Sequence, residues 1–439
     1  MRALLTPAPG SEEAPILEPA LAALLLARRK WSGQAVPLHY DRPVEVARGE
    51  GVYLFDTAGH RYLDMTNDIS LVGHGHPEVV SAIAAQAATL NIHARYLNKV
   101  TDDYAARLLA RFPAGLGNLV MTSTGSEAND LALRIARAVT GRKGIIVTGA
   151  AFHGSTAASS EISPGLLPSA DLPSYVVTVP APDSALAGSV PLGAWYGARI
   201  REAVVALARN GVGTAALVLD SVFSSDGVFT DPPGFLGEAV AVVRAAGGLF
   251  VANEGQAGFG RLGSGMWGFM RHGVVPDIVT LGKPMGNGYP AGGVVTRPEY
   301  LLDFQVRTPY LSSFGGSSVA AAGLAVLDVI EGEGLIRNAA RTGGVLRKGL
   351  KALAKSFPRI GAVRGVGLLA GVDLVDPETG APDPAGARRV VNALRQNFVL
   401  AGMAGPLGHT LRIRPPLCFD AGHVTHFLEI FRAVLVSQG

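Results

Sequence analysis

A chain of 439 residues is long enough to bury a large core and predicts one larger and one smaller domain. With 48% hydrophobic and 17% charged residues, the composition excludes a disordered protein. The formal charge of +3 is small for this length, and no run of Lys or Arg interleaved with aromatic residues indicates nucleic-acid binding.

Two features of the sequence bear on the compartment. The single Cys418 excludes an internal disulfide and a cysteine-built metal site, as is typical of a reducing compartment. The apolar run 16–27 is followed by Arg28, Arg29 and Lys30 and lacks a cleavage-like site, which favours an amphipathic helix over a secretion signal. No stretch is long and apolar enough to span a bilayer. We therefore expect a cytoplasmic protein without a membrane partner.

The first elements in chain order are a meander and a helix. Alternating apolar residues in 46–65 predict short strands with a turn at 56–59. Pro77 predicts the start of a helix. His74 and His76 precede it, but they are flanked by glycines and have one close carboxylate, so we expect turn residues and no metal.

A strand predicted at 118–122 leads into a Gly-Ser turn and then a helix. Such a turn directs free backbone N–H groups and the positive end of the helix dipole at one spot, which makes an anion site. Gly125 and Ser126 would be its residues. A plain helix cap is the commoner use of Ser or Thr at this position and remains the alternative.

The next strand, at 144–148, is followed by an aromatic-His-Gly triplet that begins at Phe152. An aromatic residue there could stack on a ligand or simply fill the core. The stretch 163–197 is rich in Pro, Ser and Gly and predicts a loop with little regular structure. Another buried strand is expected at 215–220, ending in polar residues.

Two further buried strands are predicted at 249–253 and 277–282. Both end in polar residues, at the edge where an α/β sheet usually presents its ligand. The second strand delivers Lys283 into a turn rich in glycine. An amine in a crowded apolar site gives up its proton more readily and becomes a nucleophile, which a Schiff-base lysine requires. An ordinary lysine at a strand end is the alternative.

The last third of the chain predicts a long polar helix at 337–357, then short strands. Arg412 and Arg414 would point to the same face of one of these strands. Because a guanidinium matches a carboxylate in a bidentate way, either could hold the carboxylate of an amino acid. A solvated strand face is the alternative.

The motifs together resemble the class III aminotransferases, which are pyridoxal-phosphate (PLP) enzymes of fold type I. The matching stretches are Thr-Gly-Ser-Glu-Ala-Asn, the aromatic-His-Gly triplet, Gly-Phe-Gly-Arg and Pro-Asp-Ile-Val-Thr before the lysine, and the match covers nearly the whole chain. The resemblance implies an α/β fold whose large domain, residues 76–325, carries a mostly parallel seven-stranded sheet. It also implies a small α+β domain built from both termini, residues 1–75 and 326–439.

The resemblance further implies an aminotransferase that moves an amino group from an amine or amino acid to a keto acid or aldehyde through a Lys283 Schiff base with PLP. The arginine implied for the substrate carboxylate is Arg412. Ser313 stands where the family has a threonine that reaches the cofactor of the neighbouring subunit, so a homodimer with a shared active site is implied. The implied cofactor-binding residues are Gly125, Ser126, Phe152, His153, Asn253, Gln256, Lys283 and Ser313.

Two residues depart from the family pattern. Asn253 replaces an aspartate that holds a proton on the pyridine nitrogen, and Gly255 replaces a valine that packs against the ring. A charged hydrogen bond contributes about 1.5–3 kcal/mol against about 1 kcal/mol for a neutral one, so transamination could be slowed about tenfold or more. Two alternatives therefore stay open: a PLP-dependent lyase acting on a phosphorylated amine, which Gly-Lys-Pro-Met-Gly-Asn-Gly also resembles, and a PLP-binding protein with degraded activity.

Overall fold

Three β-sheets form the framework of the described part of the chain. The computed structural model describes residues 17–33, 35–67, 69–166, 171–308, 310–312 and 316–438. The strands are β1 (Val46–Glu50), β2 (Tyr53–Asp56), β3 (Arg61–Asp64), β4 (Asn118–Thr122), β5 (Gly144–Thr148), β6 (Val176–Val179), β7 (Thr214–Asp220), β8 (Leu249–Asn253), β9 (Ile278–Leu281), β10 (Gly292–Thr296), β11 (Ile360–Val366), β12 (Leu369–Leu374), β13 (Val399–Leu400), β14 (Gly402–Ala404) and β15 (Thr410–Ile413). The helices are α1 (Pro19–Ser32), α2 (Pro77–Thr89), α3 (Lys99–Leu109), α4 (Gly125–Thr140), α5 (Ala157–Glu161), α6 (Ser184–Ala187), α7 (Leu192–Arg209), α8 (Leu236–Ala245), α9 (Pro298–Arg307), α10 (Ser317–Gly332), α11 (Leu335–Ser356), α12 (Pro384–Gln396) and α13 (Ala421–Ser437).

The central sheet has seven strands in the order β4-β10-β9-β8-β7-β5-β6. Strand β10 is antiparallel to both of its neighbours, and the other pairs are parallel. The sheet buries both faces: Ile145 and Val147 pack in one apolar cluster with Leu131 of α4, while Ile146 packs in another with Ile200 of α7. Burial on both faces explains the continuous apolar runs in these strands. The mostly parallel seven-stranded sheet is confirmed.

The parallel strands bring their polar carboxyl ends to one edge of the sheet. Asp220, the last residue of β7, pairs in register with Asn253, the last residue of β8. Lys283 follows the end of the neighbouring strand β9 after one residue. The sheet therefore places residues that are far apart in sequence beside each other, as expected at such an edge.

The two smaller sheets are built from the ends of the chain, and one of them combines strands from both ends. Strand β13 pairs parallel with β3, so Val399 lies beside Leu63 in a sheet of order β1-β2-β3-β13. The other sheet has the order β11-β12-β15-β14. This arrangement matches the small α+β domain expected from both termini, while the boundaries after residues 75 and 325 stay predictions. Across the described ranges, no helix combines the length and apolar character needed to cross a bilayer.

The predicted loop at 163–197 is wrong in its described part. It contains strand β6 and helix α6, and α7 begins at Leu192. Strand β6 is a four-residue edge strand bonded only to β5, so its sequence signal is short. Gly193 and Gly197 lie inside α7, where a Cβ on Gly197 would come within 3.0 Å of Glu238 Cβ. These glycines permit close packing against α8 and do not mark a loop.

Candidate active site

Lys283 lies beside the first turn of α4. A Cβ built on Gly282 would be 3.3 Å from the Cα of Gly125, so the two backbones meet at van der Waals distance. Glycine at both positions permits this approach. The Lys283 side chain is exposed. The crowded apolar surroundings expected for this amine are therefore wrong for the single chain.

The first turn of α4 combines a helix cap with a candidate anion site, which are the two roles that the sequence left open. Thr124 Oγ1 accepts a hydrogen bond from Glu127 N at 3.1 Å, and the Glu127 carboxylate accepts one from Ser123 N at 2.8 Å. Thr124 is thus the helix cap. Within the described part of the chain, the N–H groups of Gly125 and Ser126 have no acceptor. Free N–H groups at the positive end of a helix suit a phosphate.

The loop after β5 packs against that first turn. Gly154 has φ +144°, and a Cβ there would lie 2.6 Å from Ser126 Oγ and 2.5 Å from Ser159 Oγ. The Ser126 hydroxyl accepts a hydrogen bond from Ser155 N at 3.1 Å. Phe152 is half-buried at the start of this loop. The predicted phosphate residues and the predicted ring-stacking residue therefore belong to one packed unit.

His153 is buried and contacts Asn253. Its Nδ1 lies 3.0 Å from Asn253 Nδ2, and Asn253 Oδ1 accepts a hydrogen bond from Gly255 N at 3.1 Å. The His153 backbone is held at both ends, because its N–H donates to Ser163 Oγ and its carbonyl accepts from Asn129 Nδ2. Burial lowers the pKa of His153 to about 4, so the imidazole is neutral. The pair forms a neutral polar patch at the end of β8.

Three carboxyl groups lie around this patch: Asp226 and Glu254 are buried and Asp220 is half-buried. Burial raises the pKa of Asp220 and raises those of Asp226 and Glu254 to about 7. Glu254 accepts hydrogen bonds from Ser221 Oγ and Gly268 N, both at 2.6 Å. The sequence does not single out Glu254, since nothing local shows that three carboxyl groups from separate segments converge here.

The two arginines near the end of β15 have different surroundings. Arg414 follows the strand, is buried, and donates to the carbonyls of Asn67 at 3.1 Å and Thr66 at 2.8 Å and to Gln256 Oε1. It braces the loop after β3 against Gln256, so the prediction that Arg414 could hold a substrate carboxylate is wrong. Arg412 is half-buried, and its charge offsets a small part of the rise in the pKa of nearby Asp220 that burial causes.

The histidines before α2 contact different partners. His74 Nε2 lies 2.8 Å from Asp64 Oδ2 and 3.2 Å from Asn67 Nδ2. His76 Nε2 lies 3.0 Å from Glu333 Oε1. No group of His, Cys, Asp and Glu among the described residues could hold a metal ion. The sequence suggested turn residues, and the His74 contacts show that the turn is tied to β3.

The described residues fit PLP, with one reservation. The free N–H groups of α4 would hold its phosphate, Lys283 stands beside them, and Phe152 and Asn253 lie on neighbouring segments. The reservation is that Asn253 offers an amide where the family has a carboxylate. Ser313 lies outside the described residues. The roles of the individual residues stay predictions.

The chain matches known proteins over most of its length. The model of the family "Aminotransferase class-III" matches residues 36–435. The "Alanine--glyoxylate aminotransferase 2-like" protein of Drosophila melanogaster is 39% identical, over 93% of this chain and 86% of that protein. "Ethanolamine-phosphate phospho-lyase homolog 1" of Caenorhabditis elegans is 34% identical, over 94% and 93%.

Among solved structures, a phospholyase from Arthrobacter in complex with phosphoethanolamine superposes with a TM-score of 0.90. It is 39% identical, and the match covers 94% of this chain and 99% of that one. The family match and these relatives agree with the observed fold. The chain therefore belongs to the class III aminotransferase family and is a PLP-dependent enzyme.

Proposed function

We propose that the enzyme transfers an amino group from an amine or amino acid to a keto acid or aldehyde, with Lys283 as its central residue. The observation that carries this proposal is the close approach of Gly282 to Gly125, which puts Lys283 next to free N–H groups suited to a phosphate. A cofactor with a phosphate at one end and a carbonyl at the other suits this pair of features. The family match over residues 36–435 supports the same reaction.

Each residue has a defined task in this proposal. The N–H groups of Gly125 and Ser126 would hold the phosphate, and the half-buried Phe152 would lie against the ring. PLP, when bound, supplies an electron-withdrawing ring that stabilises negative charge on the substrate carbon. The Lys283 amine would hold the cofactor until a substrate amine takes its place, and would then act as general base and acid that carries a proton from the substrate Cα to the cofactor carbon. Arg412 orients the acidic group of the substrate.

We also propose that a second copy of the chain completes the site. Lys283 is exposed in the single chain, and Leu97 is 98% and Tyr96 62% exposed. The segment that carries these apolar side chains packs on the start of α10, where Ser317 Oγ donates to Leu90 O at 2.7 Å. A homodimer would cover both features and bring Ser313 of the partner to the phosphate. Light scattering should give a dimer mass, and Leu97→Asp should shift the protein toward monomer and weaken PLP binding together.

The single cysteine, Cys418, supports a proposal for the cellular compartment. Burial raises the pKa of the Cys418 thiol to about 11, so this thiol stays protonated and is not a nucleophile. A chain without disulfides is typical of a reducing compartment, and we propose the cytoplasm. Fractionation of the source cells tests this proposal.

A second reaction is favoured by the Arthrobacter relative, which is described as a phospholyase in complex with phosphoethanolamine. The turn after Lys283 that resembles that branch is firmly held: Asn287 has φ +49°, its Oδ1 accepts from Val72 N at 2.9 Å, and its Nδ2 donates to Gly73 O at 2.9 Å. In this candidate reaction phosphate is eliminated from a phosphorylated amine, and water hydrolyses the remaining unsaturated amine to ammonia and an aldehyde.

One product analysis separates the two reactions. The purified enzyme with PLP is given either phosphoethanolamine alone or alanine with glyoxylate. Release of inorganic phosphate and ammonia without a keto acid supports the lyase, whereas appearance of the amino group on glyoxylate supports the transferase. Lys283→Ala should abolish either reaction. Lys143→Ala, an exposed lysine before β5, should leave it unchanged. Normal amino transfer by Lys283→Ala would contradict the role of this lysine.

A further inference from the structure

We infer that Asn253 and His153 hold the pyridine nitrogen of PLP in its unprotonated form. The inference rests on the assignment of PLP to this site. It starts from a hydrogen bond whose direction is fixed. The backbone N–H of Gly255 can only donate, and it lies 3.1 Å from the side chain of Asn253. The atom that it meets must therefore be the amide oxygen, which places the amide NH2 on the other side.

The orientation of the amide determines the proton on His153. The Asn253 NH2 group lies 3.0 Å from His153 Nδ1 and can only donate. Nδ1 must therefore carry a lone pair, and the single imidazole proton is on Nε2. A doubly protonated ring would place two N–H donors against each other. Burial opposes the charged form as well, since it lowers the pKa of His153 to about 4.

Neither residue can then offset a positive charge. An amide is neutral, and this imidazole is neutral with its lone pair already occupied by Asn253. The carboxyl groups nearby accept hydrogen bonds from their own neighbours. These pairs are Asp220 with Val222 and Ser224, Asp226 with Thr148 and Ala150, and Glu254 with Ser221, Gly268 and Phe269.

Among the described residues His153 is the one acceptor that meets the Asn253 NH2 group, so the second hydrogen of this group remains available. An unprotonated pyridine nitrogen accepts such a hydrogen bond, whereas a protonated one brings a donor and a charge to two neutral side chains, one of which also presents a donor. The aspartate of the family would instead accept a hydrogen bond from a protonated nitrogen and would offset its positive charge. A neutral ring withdraws electrons less strongly, so it stabilises negative charge on the substrate carbon less. Asn253 and His153 thus give the ring nitrogen no charged partner, and electron withdrawal from the substrate carbon is weaker as a consequence.

The first measurement concerns the protein without cofactor. Nitrogen-15 NMR of histidine-labelled protein reports the tautomer of each imidazole, and His153→Gln identifies the signal of His153. We expect the Nε2–H tautomer in the original sequence and protonation of Nδ1 in Asn253→Asp, because a carboxylate accepts a hydrogen bond. Asn210→Asp, an exposed change at the end of α7, should leave the signal unchanged. A proton on Nδ1 in the original sequence would overturn the inference.

The second measurement uses the holoenzyme with PLP that is labelled with nitrogen-15 in its ring. We expect a chemical shift typical of unprotonated pyridine, and a move toward the protonated range in Asn253→Asp. A protonated ring nitrogen in the original sequence would refute the inference while leaving PLP and the proposed reaction in place. Failure to bind PLP would refute the proposed function, and the inference about its nitrogen would fall with it. The tautomer experiment would still show whether His153 and Asn253 pair as described.

Discussion

Gly154 offers a sharp test of how the loop after β5 supports the start of α4. Replacing it by alanine adds one Cβ that would lie 2.5 Å from Ser159 Oγ, 2.6 Å from Ser126 Oγ and 2.9 Å from Ser126 Cα. These distances are shorter than van der Waals contact, so Ser126 or the loop must move. The backbone at φ +144° also disfavours any side chain.

The cost has two parts. An L-residue in a sparsely populated backbone region costs about 1–3 kcal/mol. Overpacking costs about 1–3 kcal/mol more. For 439 residues the entropy of unfolding is about 0.9 kcal/mol per degree, so Gly154→Ala should lower Tm by about 2–7 °C. Moving Ser126 should also weaken PLP binding by about 10- to 150-fold, since one misplaced hydrogen bond to a charged group is worth about 1.5–3 kcal/mol.

Thermal unfolding and a PLP titration measure both effects. The matched control is Gly237→Ala in α8, where no atom lies within 4 Å of the new Cβ. Alanine is the better helix former, so this variant should be more stable by about 0.5–1 kcal/mol and bind PLP normally. If Gly154→Ala melts and binds PLP like the original protein, the loop does not support the anion site as described.

Further predictions concern buried charges. The folded state holds the proton of Glu254 more tightly than the unfolded chain, because the pKa is raised from 4.5 to about 7. The free energy of unfolding should therefore fall as pH rises through that window, and Glu254→Gln should reduce the fall by at most about 3 kcal/mol in denaturant titrations at several pH values. An unchanged slope would contradict this. Arg414→Met should cost about 3–5 kcal/mol in urea unfolding, because it leaves the carbonyls of Thr66 and Asn67 without their donor. Arg412→Met, at a half-buried site, should cost less stability and raise KM about tenfold for acidic substrates. The reverse order of the two stability losses would refute the bracing role of Arg414.

Much of the fold could be predicted from the sequence, because the central strands have a strong local signal. The predicted strands 118–122, 144–148 and 249–253 match β4, β5 and β8, since continuous apolar runs between turn residues leave little choice of boundary. Pro77 likewise begins α2 as predicted. The family resemblance supplied the strand arrangement, and the structure confirms the mostly parallel sheet.

Features that depend on distant contacts could not be predicted. Arg414 looks like Arg412 in sequence, yet it is buried by a loop more than 300 residues away. The pairing of His153 with Asn253 spans 100 residues and depends on the register of parallel strands. The exposure of Lys283 could not be predicted for a related reason. Whether other segments of the chain cover this side chain depends on the tertiary structure.

The measurement that tests the central claim most directly is borohydride trapping followed by peptide mapping. The protein is saturated with PLP, its absorption is recorded before and after addition of an amine, and the cofactor is fixed by reduction. We expect PLP on the peptide that contains Lys283, and an absorption that changes when a substrate amine displaces the lysine. PLP fixed on another lysine, or no bound PLP at all, would contradict the assignment of the site at the end of β9.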